Sequence, residues 1–112
     1  MLPANAQAAI QQIIIAISSG DYLAALGRTS GSRCCAADIS RTVEEYGRTF
    51  SAPPFADWDV VSIRPEVGRD MWSVRAPLWS ESEGGRSDLE LALTVSIIDG
   101  EASVELDDLR VA

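Results

Sequence analysis

The sequence predicts an α+β domain in which three N-terminal helices pack on a curved, four-stranded antiparallel sheet. In the first 50 residues, apolar side chains recur three and four positions apart, which is typical of amphipathic helices. From residue 58 onward they alternate with polar side chains, which is typical of half-buried strands. Because the helical patterns all precede the strand patterns, we expect the sheet to be a meander with the helices on one face.

The first two helices are predicted from their end signals as well as from their periodicity. Pro3 suits the start of a helix that continues through Ile17, and Gly20 suits the left-handed position that ends it. Asp21 then has the side chain to cap a short second helix, which ends at Gly27.

The third helix is predicted over residues 38–50, with Asp38 as its N-cap. Pro53 and Pro54 follow it and cannot continue a helix. Residues 28–33, which precede it, are polar and predict a loop.

The strands are predicted over residues 58–64, in the two arms of a long hairpin over residues 70–98, and over residues 102–111. Asp99 and Gly100 between the last two strands are typical of a two-residue hairpin turn. In the last strand the apolar residues change phase, which predicts a bulge at residues 107–108.

Alternation divides the hairpin into an apolar face, expected to pack on the helices, and an outward face. We expect the apolar face and the helices to form one core, containing Ile13, Ile14, Val43, Tyr46, Trp72, Val74, Leu91 and Leu93. On the other side we expect a flat surface of mixed polarity that includes Met71, Ser73, Arg75, Trp79, Glu90, Ala92, Thr94, Ser96, Ser103 and Glu105.

Size and charge narrow the possible functions. The 112 residues are expected to form a single domain, and 17 acidic against 9 basic residues give a net charge of −8. This charge repels phosphate backbones and anionic lipid, so nucleic acid and membranes are not expected partners. The N-terminal apolar stretch is too short to span a membrane and lacks a basic flank, so we expect a cytoplasmic protein.

The candidate chemical groups are few. The chain has no histidine, which excludes histidine-dependent triads and the commonest zinc sites, so we expect neither metal nor cofactor. The adjacent Cys34 and Cys35 have no imidazole to activate them and supply at most half of a tetrahedral site, so we expect a buried structural role. Asp57 and Asp59 leave a second possibility open, because one of them, if buried, would suit a general base.

Several motifs resemble known families. Residues 17–22, ISSGDY, are similar to the opening of many NTF2-like, cystatin-related domains. The EYGRT segment from Glu45, the following PP, and the W-x-V, LW and GRSDL motifs of the hairpin resemble a small bacterial domain family of unknown function. The loop before GRSDL departs from that family, since its glutamates, Glu81 and Glu83, are separated. The resemblance implies an NTF2-like fold over residues 1–112 and no catalytic residue.

These observations lead to an expectation of a non-enzymatic NTF2-like protein-binding module, most concretely an immunity protein that neutralises a cognate bacterial toxin. The expected partner-binding residues are Arg75, Trp79, Glu90 and Thr94 on the outward face, which also suits a homodimer formed through the sheet. The alternative is a small-molecule-binding or isomerase-like or cyclase-like enzyme with a carboxylate in the cone.

Overall fold

Three helices and five strands make up the described part of the chain, which in this computed structural model comprises residues 2–47, 49–51, 58–63, 70–80 and 84–111. Among these residues no helix is both long and apolar enough to cross a membrane. The elements follow in the order α1 Ala4–Ser18, α2 Tyr22–Gly27, β1 Gly31–Ser32, α3 Ala36–Tyr46, β2 Asp59–Ile63, β3 Met71–Ser80, β4 Gly85–Ile98 and β5 Glu101–Val111.

The junction between α1 and α2 has the predicted end signals. Gly20 adopts a φ of 80°, and its N–H donates to the carbonyl of Ile17 over 3.1 Å, while the N–H of Asp21 donates to Ala16 over 2.9 Å. This pair of bonds satisfies the last carbonyls of α1 in a Schellman arrangement. The Asp21 carboxylate accepts the N–H of Ala24 at 3.2 Å, which confirms it as the cap of α2.

Helix α3 begins and ends earlier than predicted. Its N-cap is Cys35, and Asp38 is the third helical residue, where its carboxylate accepts the backbone N–H of Cys35 at 3.2 Å. This bond is one of the two bonds of a capping box. The cap-forming side chain of Asp38 therefore acts from the third helical residue, and the N-cap lies three positions earlier than predicted. The helix ends at Gly47, whose φ is 74°, and Phe50 lies beyond it in the core with 7% exposure.

The sheet is five-stranded and mixed, which corrects the prediction of four antiparallel strands. Its order is β1-β5-β4-β3-β2, with β1 parallel to β5 and the other neighbours antiparallel. Residues 28–33, predicted as a loop, contain β1, and the N–H groups of Ser30 and Arg33 donate to β5 carbonyls over 2.8 and 3.0 Å. The polar composition of this segment could not reveal a strand whose pairing depends mainly on backbone groups, with one further bond from the Ser30 hydroxyl to the Val104 carbonyl.

The hairpin between β4 and β5 confirms both its predicted turn and its predicted bulge. Asp99 and Gly100 have φ of 52° and 80°, as a two-residue type I′ turn requires. Farther along, Leu93 pairs with Leu106 but Ala92 pairs with Asp108, so Asp107 is the extra residue. Because of this extra residue, the side chain of Leu109 lies on the apolar face of the sheet.

The helices and the apolar face of β3, β4 and β5 form one core, as predicted. Leu91 is fully buried and is less exposed than its neighbour Glu90, which is 6% exposed on the opposite face. The strand therefore has the predicted register. Of the residues predicted for this core, six are buried and Val43 and Tyr46 pack against it while partly buried. The core cluster also includes Leu2, Ile10, Ile17, Ile39, Leu78, Leu89, Val95, Val104 and Leu106.

Candidate protein-binding surface

The strand register places a set of side chains together on the sheet face opposite the core. We call this set the outward face; its members on β2 and β3 are Asp59, Val61, Ile63, Met71, Ser73, Arg75 and Trp79, and on β4 and β5 they are Arg86, Glu90, Ala92, Thr94, Ser96, Ser103 and Glu105. The apolar residues of β3 and β4, which alternate with these, are buried in the core that includes the helices. The predicted division of the hairpin into two faces is therefore confirmed.

Arg75 lies beside a shallow depression on the outward face. The depression has a volume of about 340 Å³ and is lined by Asp59, Val61, Ser73 and Arg75. Arg75 is exposed and pairs in register with Asp59 on β2 and with Ala92 on β4. The small side chain of Ala92 leaves the guanidinium group of Arg75 with room to make bidentate hydrogen bonds to an acceptor on a partner.

An ion pair crosses this face and was not predicted. Arg86 of β4 places its Nη2 atom 3.6 Å from Oδ2 of Asp59 on β2, so its side chain reaches over β3. Both side chains are substantially exposed, so the pair contributes little to stability, but it adds a second guanidinium group near Arg75. The sequence does not indicate this pair, because nothing local relates residues that meet across an intervening strand.

Trp79 is half-buried at the end of β3, and its ring lies against the backbone of Gly85. A Cβ atom added to Gly85 would be 2.6 Å from Cζ2 of Trp79, so only glycine leaves room for the ring there. The carbonyl of Trp79 also accepts the N–H of Ser51 at 2.8 Å. Trp79 is thus held in position from two sides, while the residue as a whole is only half-buried.

Two of the predicted partner-binding residues are already engaged within the sheet. The side chain of Glu90 is 7% exposed, and its Oε1 atom lies 3.8 Å from Nε of Arg110 on β5. The hydroxyl of Thr94 donates to Oδ2 of Asp107 over 2.6 Å, which places the bulge residue on the outward face. Arg75 and Trp79 are therefore the better placed of the four predicted residues to contact a partner.

Asp59 does not lie where a buried general base would. Its neighbour Trp58 packs against the core, and Asp59, next along the strand, turns outward with 67% of its side chain exposed. The possibility that one of Asp57 and Asp59 points inward fails for Asp59, because Asp59 pairs in register with Arg75 and lies on the same, outward face. Asp57 lies outside the described residues.

The cysteines correct another expectation, since neither is fully buried. Cys34 is half-buried, whereas Cys35 is exposed and its thiol donates to Oδ2 of Asp38 over 3.2 Å. Burial, aided by the charge of Asp108, raises the pKa of the Cys34 thiol and keeps it protonated. Among the described residues, no three histidine, cysteine, aspartate or glutamate side chains are grouped to hold a metal ion.

Comparison with known proteins gives one match. The model of a family described as a domain of unknown function (DUF7668) matches residues 14–112, which is most of the chain. No curated protein and no solved structure matches.

Proposed function

The chain belongs to the DUF7668 family of domains of unknown function, and from its sheet surface we infer that it is a non-enzymatic protein-binding module. The observation that carries this proposal is the outward face itself, on which exposed Arg75 and half-buried Trp79 lie on one strand. Arginine and tryptophan are enriched among the residues that dominate binding energy, because a rigid or forked group gains most from desolvation.

The net charge of −8 favours a basic partner. Long-range attraction would speed the encounter of the two proteins, and the arginines on the outward face would then fix their orientation. In its most concrete version the proposal is an NTF2-like immunity protein that captures a basic bacterial toxin in the cytoplasm. The toxin-neutralising role rests on analogy with small acidic domains of that fold.

The exposed position of Asp59 weakens the alternative, which is an isomerase-like or cyclase-like enzyme with a carboxylate in a cone. A general base of that kind needs a carboxylate shielded from water, and the Asp59 side chain is 67% exposed beside a shallow depression. The protein-binding module is therefore the function that the described geometry supports best.

The test replaces the two side chains expected to dominate binding. The test ligands are basic proteins encoded beside this gene, and the affinity of each for the purified chain is measured by calorimetry at two salt concentrations. Arg75→Ala with Trp79→Ala should weaken binding by at least about a hundredfold, whereas Ser73→Ala with Ser96→Ala should change it less than about threefold. Binding of the unsubstituted chain should also weaken as salt rises.

The single variant Arg75→Ala distinguishes a loss of binding from a loss of folding. Arg75 is exposed, so its removal should leave the thermal midpoint unchanged even if loss of the half-buried Trp79 lowers it. Unchanged affinity in both variants would overturn the proposal. If instead the unsubstituted chain sediments as a dimer that Arg75→Ala dissociates, the outward face serves self-association and not a toxin.

A further inference from the structure

Strand β2 forms one edge of the sheet and is exposed along its whole length. All five of its residues are exposed, and three of them are β-branched and apolar: Val60 at 38%, Val61 at 62% and Ile63 at 37%. In the described part of the chain, β3 is its only neighbour. Every second residue of β2 therefore directs its backbone N–H and C=O groups away from β3, where no described strand accepts them.

The two edges of the sheet differ in how they are protected. Along β5, β1 pairs with residues 105 and 106, and the N–H groups of Ser30 and Arg33 bond to neighbouring carbonyls. The described span of β2 has no proline, no bulge and no basic residue, which are the usual features that discourage edge pairing. Its single charge is Asp59 at its first residue.

The chemistry of this edge defines what would bind it. A row of alternate N–H and C=O groups is satisfied by another extended backbone, so the ligand is a β-strand. Val61 and Ile63 on one face and Val60 on the other would contact its alternate side chains, which should be β-branched on both faces.

Charge decides between a foreign segment and a second copy of this chain. The net charge of −8 attracts a basic segment, and the Asp59 carboxylate, although it is paired with Arg86, is 67% exposed and accessible to a further cation. A second copy brings a further charge of −8, and antiparallel pairing of two β2 strands about Val61 places each Asp59 opposite an apolar Ile63. Self-pairing is therefore disfavoured.

We propose that β2 accepts an extended, basic segment of a protein partner as an additional antiparallel or parallel strand. This inference rests on the proposed function only in assuming that the chain binds a protein. It concerns the backbone edge of β2, whereas the proposed function concerns the side chains of Arg75 and Trp79 on β3, so each can fail without the other.

The probe is an acetylated and amidated peptide of sequence Lys-Val-Thr-Val-Thr-Val-Lys, with Glu-Val-Thr-Val-Thr-Val-Glu as its matched control. Amide hydrogen exchange is followed residue by residue by NMR. The lysine peptide should slow the exchange of alternate amides within β2, those that face away from β3, and should bind at least about tenfold more tightly than the glutamate peptide. Methylating alternate peptide nitrogens should abolish binding in one register and spare it in the other.

Two variants complete the experiment. Asp59→Asn should reduce the preference for the lysine peptide over the glutamate peptide while leaving the pattern of protected β2 amides unchanged. Trp79→Ala should leave the pattern of protected β2 amides unchanged, which separates binding at this edge from binding through the side chains of β3. The proposal is overturned if the lysine peptide does not bind, if it protects amides outside β2, or if β2 becomes protected with rising protein concentration and no peptide, since that would identify a second copy as the ligand.

Discussion

Substitution of Leu91 is the most direct test of which face of the hairpin packs in the core. It is fully buried and pairs with Ala76 on β3 and Leu109 on β5. Leu91→Ala removes methyl groups from a closed core and leaves a cavity, so we expect unfolding in urea to show a loss of about 2–5 kcal/mol. Val111→Ala is the matched control, because Val111 is 61% exposed on the same sheet and its truncation should cost under about 0.5 kcal/mol. Similar losses in both variants would contradict the assigned core.

Asp38 links stability to pH through the start of α3. Hydrogen bonds from the thiol and the backbone N–H of Cys35, with a smaller contribution from Arg41, hold the pKa of Asp38 below its ordinary value of 3.8. A carboxylate whose pKa falls on folding stabilises the native state above its unfolded pKa. That contribution is lost as the pH falls through the lower native pKa.

Asp38→Asn should therefore lower the free energy of unfolding at neutral pH, and its difference from the unsubstituted chain should shrink as the solution is acidified past the native pKa. Urea titrations at a series of pH values measure this difference. Glu45→Gln removes an equal charge from an exposed position of the same helix and is the control for the loss of charge alone. A difference that stays constant with pH would show that the Cys35–Asp38 bonds do not form in solution.

At the scale of elements, the turn between β4 and β5 requires glycine for its backbone conformation, and not because neighbouring atoms would crowd a side chain there. Gly100 has a φ of 80° with no atom within 4 Å of an added Cβ, whereas Gly27 in α2 has equally open space and no positive φ. Gly100→Ala should therefore cost roughly 1–2 kcal/mol from strain alone. Gly27→Ala should be neutral or stabilise by up to about 1 kcal/mol.

Thermal and urea unfolding of these two variants give the comparison. Equal effects would mean that general crowding or chain entropy, and not the left-handed conformation of the turn, determines the cost at Gly100. A loss confined to Gly100→Ala would confirm that this two-residue turn sets the register of the β4–β5 pair, which brings Thr94 opposite Glu105 on the outward face.

At the scale of the whole molecule, the core and the candidate binding surfaces lie on separate parts of the sheet. The residues of the core lie on the helix side, whereas Arg75 is exposed on the outward face and β2 is exposed at the edge. Substitutions at the exposed residues of the outward face or of β2 are therefore expected to have little effect on stability. The net charge of −8 acts over the whole surface, so it affects the rate and salt dependence of association more than the fold.

Local sequence by itself determined the helices, their turns and the two faces of the long hairpin. The Gly20 and Asp99-Gly100 turns require conformations that few residues adopt, and the phase change near Asp107 marked the bulge. Alternation likewise placed Arg75 and Thr94 on the outward face, because side-chain direction along a strand has a period of two. These features depend on neighbours a few residues apart, so they are visible in the sequence.

Only the tertiary structure decided which distant groups meet. It paired β1 with β5 through backbone atoms that carry no side-chain signal, and it brought Arg86 across β3 to Asp59. It also buried Glu90 beside Arg110, although alternation had assigned Glu90 to the outward face correctly. Exposure and ion pairing depend on what the neighbouring strands place around a side chain, and that is set by packing between segments far apart in the sequence.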